Sequence, residues 1–248
     1  MNARLNRTLI VALAGCVFGG TALFVSADDA TPIKPDPAVQ DAATASSSSD
    51  AHGFVKIFNG KDLTGWTYGG SKGNAGKEGK GYQIENGVLY STEHDGGNLF
   101  TEAEYTDFIF SFDFKLEPNS NNGIGIRSPL EGDPAYVAME IQVLDDSGSD
   151  YKNLRPAQYH GSIYDVFPAK RGSQKPVGEW NHEEINAKGR HVTVKLNGNT
   201  IVDANLDDVK DEKVLKKHPG LARGKGHIGL LGHGTRVEFR SMQVKELK

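Results

Sequence analysis

The sequence predicts an all-β fold, a two-sheet antiparallel jelly-roll sandwich, for residues 53–248. Short runs in this region alternate apolar and polar residues with a period of two, which is typical of strands buried on one face. Asn-Gly dipeptides, which favour hairpin turns, recur beside these runs. No long stretch has the 3.6-residue period of a helix. Ten or more short strands fit a large jelly roll better than a small immunoglobulin-like sandwich.

The alternation is clearest in the run Phe108–Leu116, where Phe108, Phe110, Phe112 and Phe114 share one face. Hairpin turns are expected at the four Asn-Gly pairs, and one surface turn within residues 207–217. The predicted strands are residues 54–58, 82–85, 87–91, 108–116, 123–127, 137–144, 191–196, 199–203, 226–231 and 236–245.

Residues 1–27 have the pattern of a secretory signal peptide. Arg4 and Arg7 precede an apolar stretch that closes with Val25-Ser26-Ala27. Cleavage after Ala27 would release a periplasmic or extracellular protein. Leu13-Ala14-Gly15-Cys16 resembles a lipobox, so a lipoprotein anchored at Cys16 on the cell envelope is the alternative. Residues 28–52, rich in Pro, Ala and Ser, are expected to form a disordered linker.

Composition excludes several classes of protein. The net charge of −4 argues against a nucleic-acid partner, and the single cysteine excludes an intrachain disulfide or a multi-cysteine zinc site. The only long apolar run is N-terminal, so no membrane span is expected in the mature form. The sequence has no Walker loop, no GxGxxG after a predicted strand, no HExxH and no GxSxG nucleophile elbow. The glycine-rich run 69–81 has three lysines but no P-loop frame, which favours a flexible surface loop.

Several segments, in order, resemble one family. They are IFNGKDLTGW (57–66), NNGIGIR (121–127), MEIQVLDD (139–146), YHGSIYDV (159–166), VGEWNHEEINAKG (177–189), VKLNG (194–198) and GHGTRVEFRSMQVKEL (232–247). Together they resemble the 3-keto-disaccharide hydrolase domain family, from about residue 54 to the C-terminus. The resemblance implies a concanavalin A-like jelly roll and cleavage of glucosides oxidised at C3, by hydrolysis or elimination. The family usually carries Gln-Asp-His-Gly near its end, whereas this chain has Leu231-Gly232-His233-Gly234, so the histidine is kept but the acid before it is missing.

Strand alternation suggests which side chains form a site. Taken alone, each of these residues would usually be a solvated or structural residue, but their occurrence together in family-like motifs favours a common cleft. The predicted set, facing away from the core on three segments, is Arg127, Glu140, Gln142, His160 and Tyr164.

A mechanism follows from the implied substrate, an oxidised glycoside or oligosaccharide. A ketone at C3 acidifies the C2 proton, so a base can form an enolate that expels the oxygen at C1. His160 is the expected base, because imidazole titrates near neutral pH. Glu140 would orient or share that role, Tyr164 would donate a proton and Arg127 would stabilise the enolate.

Further residues are expected to bind substrate. Trp180 and Asn181 could cover the cleft edge by stacking and hydrogen bonding, although a tryptophan in the core at a sandwich end is an equal alternative. Gln142, His233 and Asp145 complete the predicted binding set. Glu140 and Asp145 lie on opposite faces of a regular strand, which weakens a paired-carboxylate mechanism.

A divalent metal ion could replace some of these groups. His160, Glu140, Asp145 and His233 are the candidate ligands, but their spacing is not diagnostic. The alternative function is a non-catalytic, lectin-like carbohydrate-binding module, which would need stacking and hydrogen bonds but no acid–base pair. An envelope scaffold is a third reading.

Overall fold

The computed structural model describes residues 50, 52–70, 81–92 and 97–248. The predicted signal peptide at 1–27 lies outside the described residues, as do nearly all of the predicted linker at 28–52 and residues 71–80 of the glycine-rich run. No helix in the described ranges has the length and apolar character that crossing a bilayer requires.

Thirteen strands among the described residues form two antiparallel sheets, which confirms the predicted jelly-roll sandwich. The strands are β1 (Val55–Lys56), β2 (Trp66–Gly69), β3 (Tyr82–Glu85), β4 (Val88–Ser91), β5 (Asn98–Tyr105), β6 (Phe108–Leu116), β7 (Asn121–Ser128), β8 (Met139–Leu144), β9 (Trp180–Lys188), β10 (His191–Leu196), β11 (Asn199–Asn205), β12 (Gly226–Leu231) and β13 (Val237–Glu246).

The larger sheet has the order β11-β10-β9-β6-β13-β4-β3, with β1 also paired to β13. The smaller sheet has the order β2-β5-β12-β7-β8. Two short α-helices, α1 (Pro134–Val137) and α2 (Glu212–Lys217), lie in the connections. The surface turn expected within residues 207–217 is this second helix, which the side chain of Asp211 caps.

The core lies between the inner faces of the two sheets. Phe108, Phe110, Phe112 and Phe114 of β6 are all fully buried, as their alternation predicts. The rings of Phe110 and Phe112 stack at 4.8 Å between centroids, and Phe112 also packs on Phe239 of β13. Burial of these large rings contributes to the stability of the fold.

Some strand bounds agree with the prediction, and some strands were missed. The bounds of β3, β6, β10 and β12 match the predicted ranges. Strands β2, β5 and β9 were not predicted. In β5, Leu99 and Phe100 are adjacent and both fully buried, which hides the alternation.

Two of the predicted hairpin turns carry a clear backbone signature. Asn86-Gly87 joins β3 to β4 and Asn197-Gly198 joins β10 to β11, each with two positive φ angles, as a type I′ turn requires. The turn expected at Asn122-Gly123 is wrong, because both residues lie inside β7.

Candidate active site

The candidate site lies on the outer face of the smaller sheet, at its β8 edge. Met139, Ile141 and Val143 of β8 point into the core, so Glu140 and Gln142 point away from it, as the alternation predicts. Both polar side chains are nevertheless buried, with 3% and 5% of their residue surface exposed. Two polar groups are therefore held in a nearly dry position on the face that does not contribute to the core.

The segment after β8 folds back along its free edge and adds Tyr164 to this face. Backbone N–H groups of Gln142 and Tyr164 donate to the carbonyls of Ser162 and Glu140, at 3.0 and 2.9 Å. Ile141 pairs antiparallel with Ile163. Residues directly opposite in an antiparallel pair share a face, so Tyr164 lies beside Glu140 and Ser162 beside Gln142.

Glu140 points toward His233, in the loop between β12 and β13. Glu140 Oε1 lies 3.6 Å from His233 Nε2 and, among the described residues, has no hydrogen-bond partner. The close approach of the Glu140 carboxylate raises the pKa of His233, and desolvation opposes that rise. The His233 side chain is 47% exposed, so a ligand can reach the imidazole. The carboxylate partner of His233 thus comes from β8 instead of from the preceding residue, Gly232.

The loop that carries His233 is held at both ends. Gly232 N–H donates to the carbonyl of Gly97 at 3.0 Å. The hydroxyl of Thr235 accepts from the N–H of Asn121 at 2.7 Å and donates to its carbonyl at 2.9 Å. Asn121 begins β7, the neighbour of β8 in the sheet. The loop that carries His233 is therefore bonded to β7, the strand that pairs with the strand of Glu140.

A chain of amide and hydroxyl contacts sets the orientation of Gln142. Its Nε2 donates to Asn121 Oδ1 at 3.2 Å. Burial raises the pKa of Tyr151, and a hydrogen bond from the Asn121 side chain opposes that rise. An amide N–H that donates to the phenol oxygen has this effect. The hydroxyl of Tyr151 in turn donates to the Asn119 carbonyl at 3.1 Å. Gln142 Oε1 is left as a buried acceptor without a partner in the described structure.

Tyr164 is a neutral phenol in this setting. Burial raises its pKa, while a hydrogen bond from Gln158 Nε2 at 3.2 Å opposes the rise. A phenol with a raised pKa keeps its proton at physiological pH and can act as a donor.

His160 does not join this face, contrary to the predicted common face with Tyr164. Gly161, the next residue, has a φ of +76°, which breaks the alternation and turns His160 inward. The imidazole lies 5.0 Å from the Phe114 ring, between the sheets. Its Nδ1 accepts from Leu144 N–H at 3.3 Å, and its Nε2 lies 3.0 Å from Glu183 Oε2. Glu183, a fully buried residue of β9 that sequence reasoning missed, is thus the carboxylate partner of His160.

The predicted outward orientation of Arg127 is also wrong. Its φ of +51° and the shift of register opposite β12 mark a β-bulge, which turns the side chain under the sheet edge. The guanidinium donates to the carbonyls of Thr106 and Gly189, at 2.8 and 2.7 Å, and pairs with Asp107 at 3.1 Å. Only 1% of the residue is exposed. Arg127 therefore links the two sheets and is not available to an enolate on the outer face.

Asp145 organises a loop. Its carboxylate accepts from the N–H groups of Asn119 and Ser147, both at 2.9 Å, and from the Ser147 hydroxyl at 2.6 Å. These bonds occupy both oxygens of a residue that is 2% exposed. The structure does not bring Asp145 to the pair formed by Glu140 and His233.

Trp180 and Asn181 belong to the other sheet. Trp180 starts β9 and lies between two cations on the outer face of the larger sheet, 4.0 Å from the Arg240 guanidinium and 5.1 Å from Lys115 Nζ. Asn181 faces inward, where its Oδ1 accepts from Lys175 N–H and Asn197 Nδ2. Neither residue covers the edge of the site on the smaller sheet.

The four candidate metal ligands are not brought together. Glu140 and His233 are adjacent, whereas His160 pairs with Glu183 and Asp145 is engaged in its loop. Within the described ranges no group of three or more His, Cys, Asp or Glu side chains is placed to hold a metal ion.

The architecture and the site define a carbohydrate-active jelly-roll protein of the glycoside hydrolase type. The family model of the 3-keto-alpha-glucoside-1,2-lyase-like domain matches residues 53–245, and the chain belongs to that family. A relative from Bacteroides thetaiotaomicron, named 3-keto-disaccharide hydrolase, is 28% identical over 80% of this chain and 80% of its own length.

Solved structures have the same kind of fold as this chain. A crystal structure from Parabacteroides distasonis, designated a candidate glycosyl hydrolase, superposes with a TM-score of 0.67 at 25% identity, covering 80% of this chain and 95% of that one. A protein of unknown function with a galectin-like fold from Bacillus subtilis has a TM-score of 0.51 at 14% identity, covering 78% and 94%, and supports the fold alone.

Proposed function

We propose that this protein cleaves the glycosidic bond of 3-keto-glucosides or 3-keto-disaccharides by abstracting the C2 proton, with His233 as the base and Glu140 as its partner. The observation that carries the proposal is the 3.6 Å contact between a buried carboxylate and a half-exposed imidazole on the outer face of the smaller sheet. Family membership and the name of the Bacteroides relative support the substrate class.

The carboxylate suits His233 to the role of base. If Nε2–H points to Glu140, the lone pair of Nδ1 is free to accept a proton, and the nearby negative charge makes the imidazole a stronger base. Contacts of this kind are often loose in free enzymes and tighten when substrate binds. His160 lacks this freedom, because Nδ1 accepts from Leu144 and Nε2 faces Glu183.

The proposed reaction has two stages. His233 takes the C2 proton, and the electrons of the C–H bond form an enolate with the C3 ketone. The enolate expels the oxygen at C1, which leaves with the proton of the Tyr164 hydroxyl. The product is an enone with a double bond between C1 and C2. The Tyr164 phenolate then takes one proton from a water molecule, whose oxygen adds to C1, and C2 regains the proton held by His233, which completes net hydrolysis.

Gln142 is proposed to select the sugar. Its Oε1 is a buried acceptor without a partner in the described structure. The hydrogen bond from Gln142 Nε2 to Asn121 Oδ1 fixes the orientation of the amide and so directs Oε1 away from Asn121. A hydroxyl of the substrate would satisfy this atom, and a site built around such a bond rejects analogues that lack the hydroxyl.

An ordinary glycosidase mechanism has less support. It needs two carboxyl groups about 5–9 Å apart across the bond. Asp145, the second carboxylate that the sequence suggested, has both oxygens engaged in its own loop.

The direct test is an NMR time course of the full chain with a 3-keto-glucoside and, in parallel, the plain glucoside. We expect release of the aglycone from the keto substrate only. His233→Asn should lower the rate by about 100-fold or more, since general bases contribute on that scale. The matched control is His182→Asn, which removes a similarly exposed histidine, 48% exposed, from the other sheet and should leave the rate unchanged.

Other outcomes would contradict the proposal. Equal cleavage of the plain glucoside would indicate an ordinary glycosidase. Binding of both sugars without cleavage would favour the carbohydrate-binding module. Loss of activity with EDTA, restored by divalent ions, would replace the metal-free chemistry with a metal-assisted one.

We also propose export, on the basis of the signal-like residues 1–27. Cell fractionation with labelled palmitate separates the two routes. A labelled envelope protein would indicate the anchor at Cys16, an unlabelled periplasmic or extracellular protein would indicate cleavage after Ala27, and recovery in the cytoplasm would refute export.

A further inference from the structure

We propose that Gly123 is a positioning residue, whose missing side chain lets the Glu140 carboxylate reach His233. The inference rests on the proposed function for its effect on catalysis. Its geometric part concerns only the Glu140–His233 contact and can be tested without substrate.

Glu140 does not lie over the residue that directly faces it. In the register of β7 and β8, Glu140 is opposite Gly125 and Gln142 is opposite Gly123. The Glu140 side chain leans diagonally instead and covers Gly123. A Cβ atom on Gly123 would overlap Glu140 Oε1 and would lie 2.8 Å from both Cγ and Cδ. The carboxylate therefore occupies the space that any other residue at position 123 would fill.

The backbone does not require glycine at this position. The φ angle of Gly123 lies outside the left-handed region, and the three nearest atoms to a built Cβ all belong to the flexible Glu140 side chain. An alanine at 123 should thus be tolerated by the fold and should displace the carboxylate.

Gly125 supplies a matched control on the same strand and the same face. The three atoms nearest to a Cβ on Gly125 all belong to Leu231, the first at 3.4 Å, which is ordinary van der Waals contact. Gly125→Ala adds the same methyl group, two residues away, without touching Glu140 in its present position. Both substitutions change the intrinsic strand propensity by the same amount, so only the steric effect on Glu140 distinguishes them.

The test measures the pKa of His233 by NMR titration in the full chain, with the resonance assigned by its loss in His233→Asn. We expect the raised pKa to fall toward the ordinary histidine value in Gly123→Ala and to stay raised in Gly125→Ala. Thermal unfolding should show both variants folded. On the 3-keto-glucoside, Gly123→Ala should lower kcat by about 10- to 100-fold with little change in KM, as expected for a misplaced catalytic group.

The outcomes separate the inference from the proposed function. If the pKa of His233 stays raised in Gly123→Ala, or falls equally in both variants, the positioning role of Gly123 is refuted. If the pKa falls in Gly123→Ala alone but kcat is unchanged, the positioning role stands and the proposed catalytic pair is refuted.

Discussion

The buried contact between His160 and Glu183 offers a measurement that bears on both stability and mechanism. Each of these two side chains is at most 2% exposed, and they approach within 3.0 Å in the core. In the described structure neither His160 Nε2 nor the Glu183 carboxylate forms a well-aligned hydrogen bond, with each other or with another group, so their contact is electrostatic. His160→Leu would therefore leave a carboxylate uncompensated between the sheets and would also orphan the Leu144 N–H.

We expect His160→Leu to lower the free energy of unfolding by about 3–5 kcal/mol, the usual cost of removing one member of a buried pair. That is a large fraction of the roughly 5–15 kcal/mol that stabilises a typical domain. Adding Glu183→Leu should recover at least about 2 kcal/mol, because the unpaired carboxylate is then gone. Glu184→Gln, on the opposite face of β9, should change stability by less than about 0.5 kcal/mol.

Urea unfolding of the full chain and of these variants gives the coupling energy as a double-mutant cycle. Additive effects of His160→Leu and Glu183→Leu would refute the claim that the two side chains compensate each other. The folded double variant should still cleave a 3-keto-glucoside. A complete loss of cleavage, with the raised pKa of His233 intact, would restore His160 as the base.

The other predictions concern single residues. In Glu140→Gln the pKa of His233 should fall. The increase of kcat/KM with pH, which follows deprotonation of His233, should then occur at lower pH and reach a lower plateau. An unchanged pH profile would argue against the pair. Arg127→Met should cost about 3 kcal/mol in urea unfolding, because Asp107 and the two carbonyl acceptors lose their partner, yet the KM of the folded protein should not change. Trp180→Ala should leave KM unchanged; a rise of 10-fold would place substrate on the larger sheet.

Much of the fold was predictable because the burial pattern of its strands is simple. The four phenylalanines of β6 occupy every second position, and nothing in the structure disturbs that order. Strand β9 escaped prediction because its inward residues include Asn181 and Glu183, whose polar character hides the alternation. The signal that could have found Glu183 is a carboxylate placed in step with Ile185 and Ala187.

The site was predictable only in part. Alternation correctly put Glu140 and Gln142 on one face, since β8 is regular. It failed at Arg127 because of a β-bulge and at His160 because the next residue is a glycine with positive φ. Each feature turns one side chain to the opposite face, and neither can be recognised from the hydrophobic pattern. The partnership of Glu140 with His233 joins residues far apart in the chain, which spacing along one strand cannot reveal.

The position of Arg127 has a consequence for how the two sheets of this domain are linked. From β7 of the smaller sheet, its guanidinium reaches the turn between β9 and β10 of the larger sheet through Gly189. Many β-sandwiches use a cystine for such a link, but the only cysteine in this chain, Cys16, precedes the described residues in the sequence. The clamp here is made of charge and hydrogen bonds, so the domain can reach its native state without an oxidant or a disulfide isomerase, and reductants should leave its unfolding midpoint where it is.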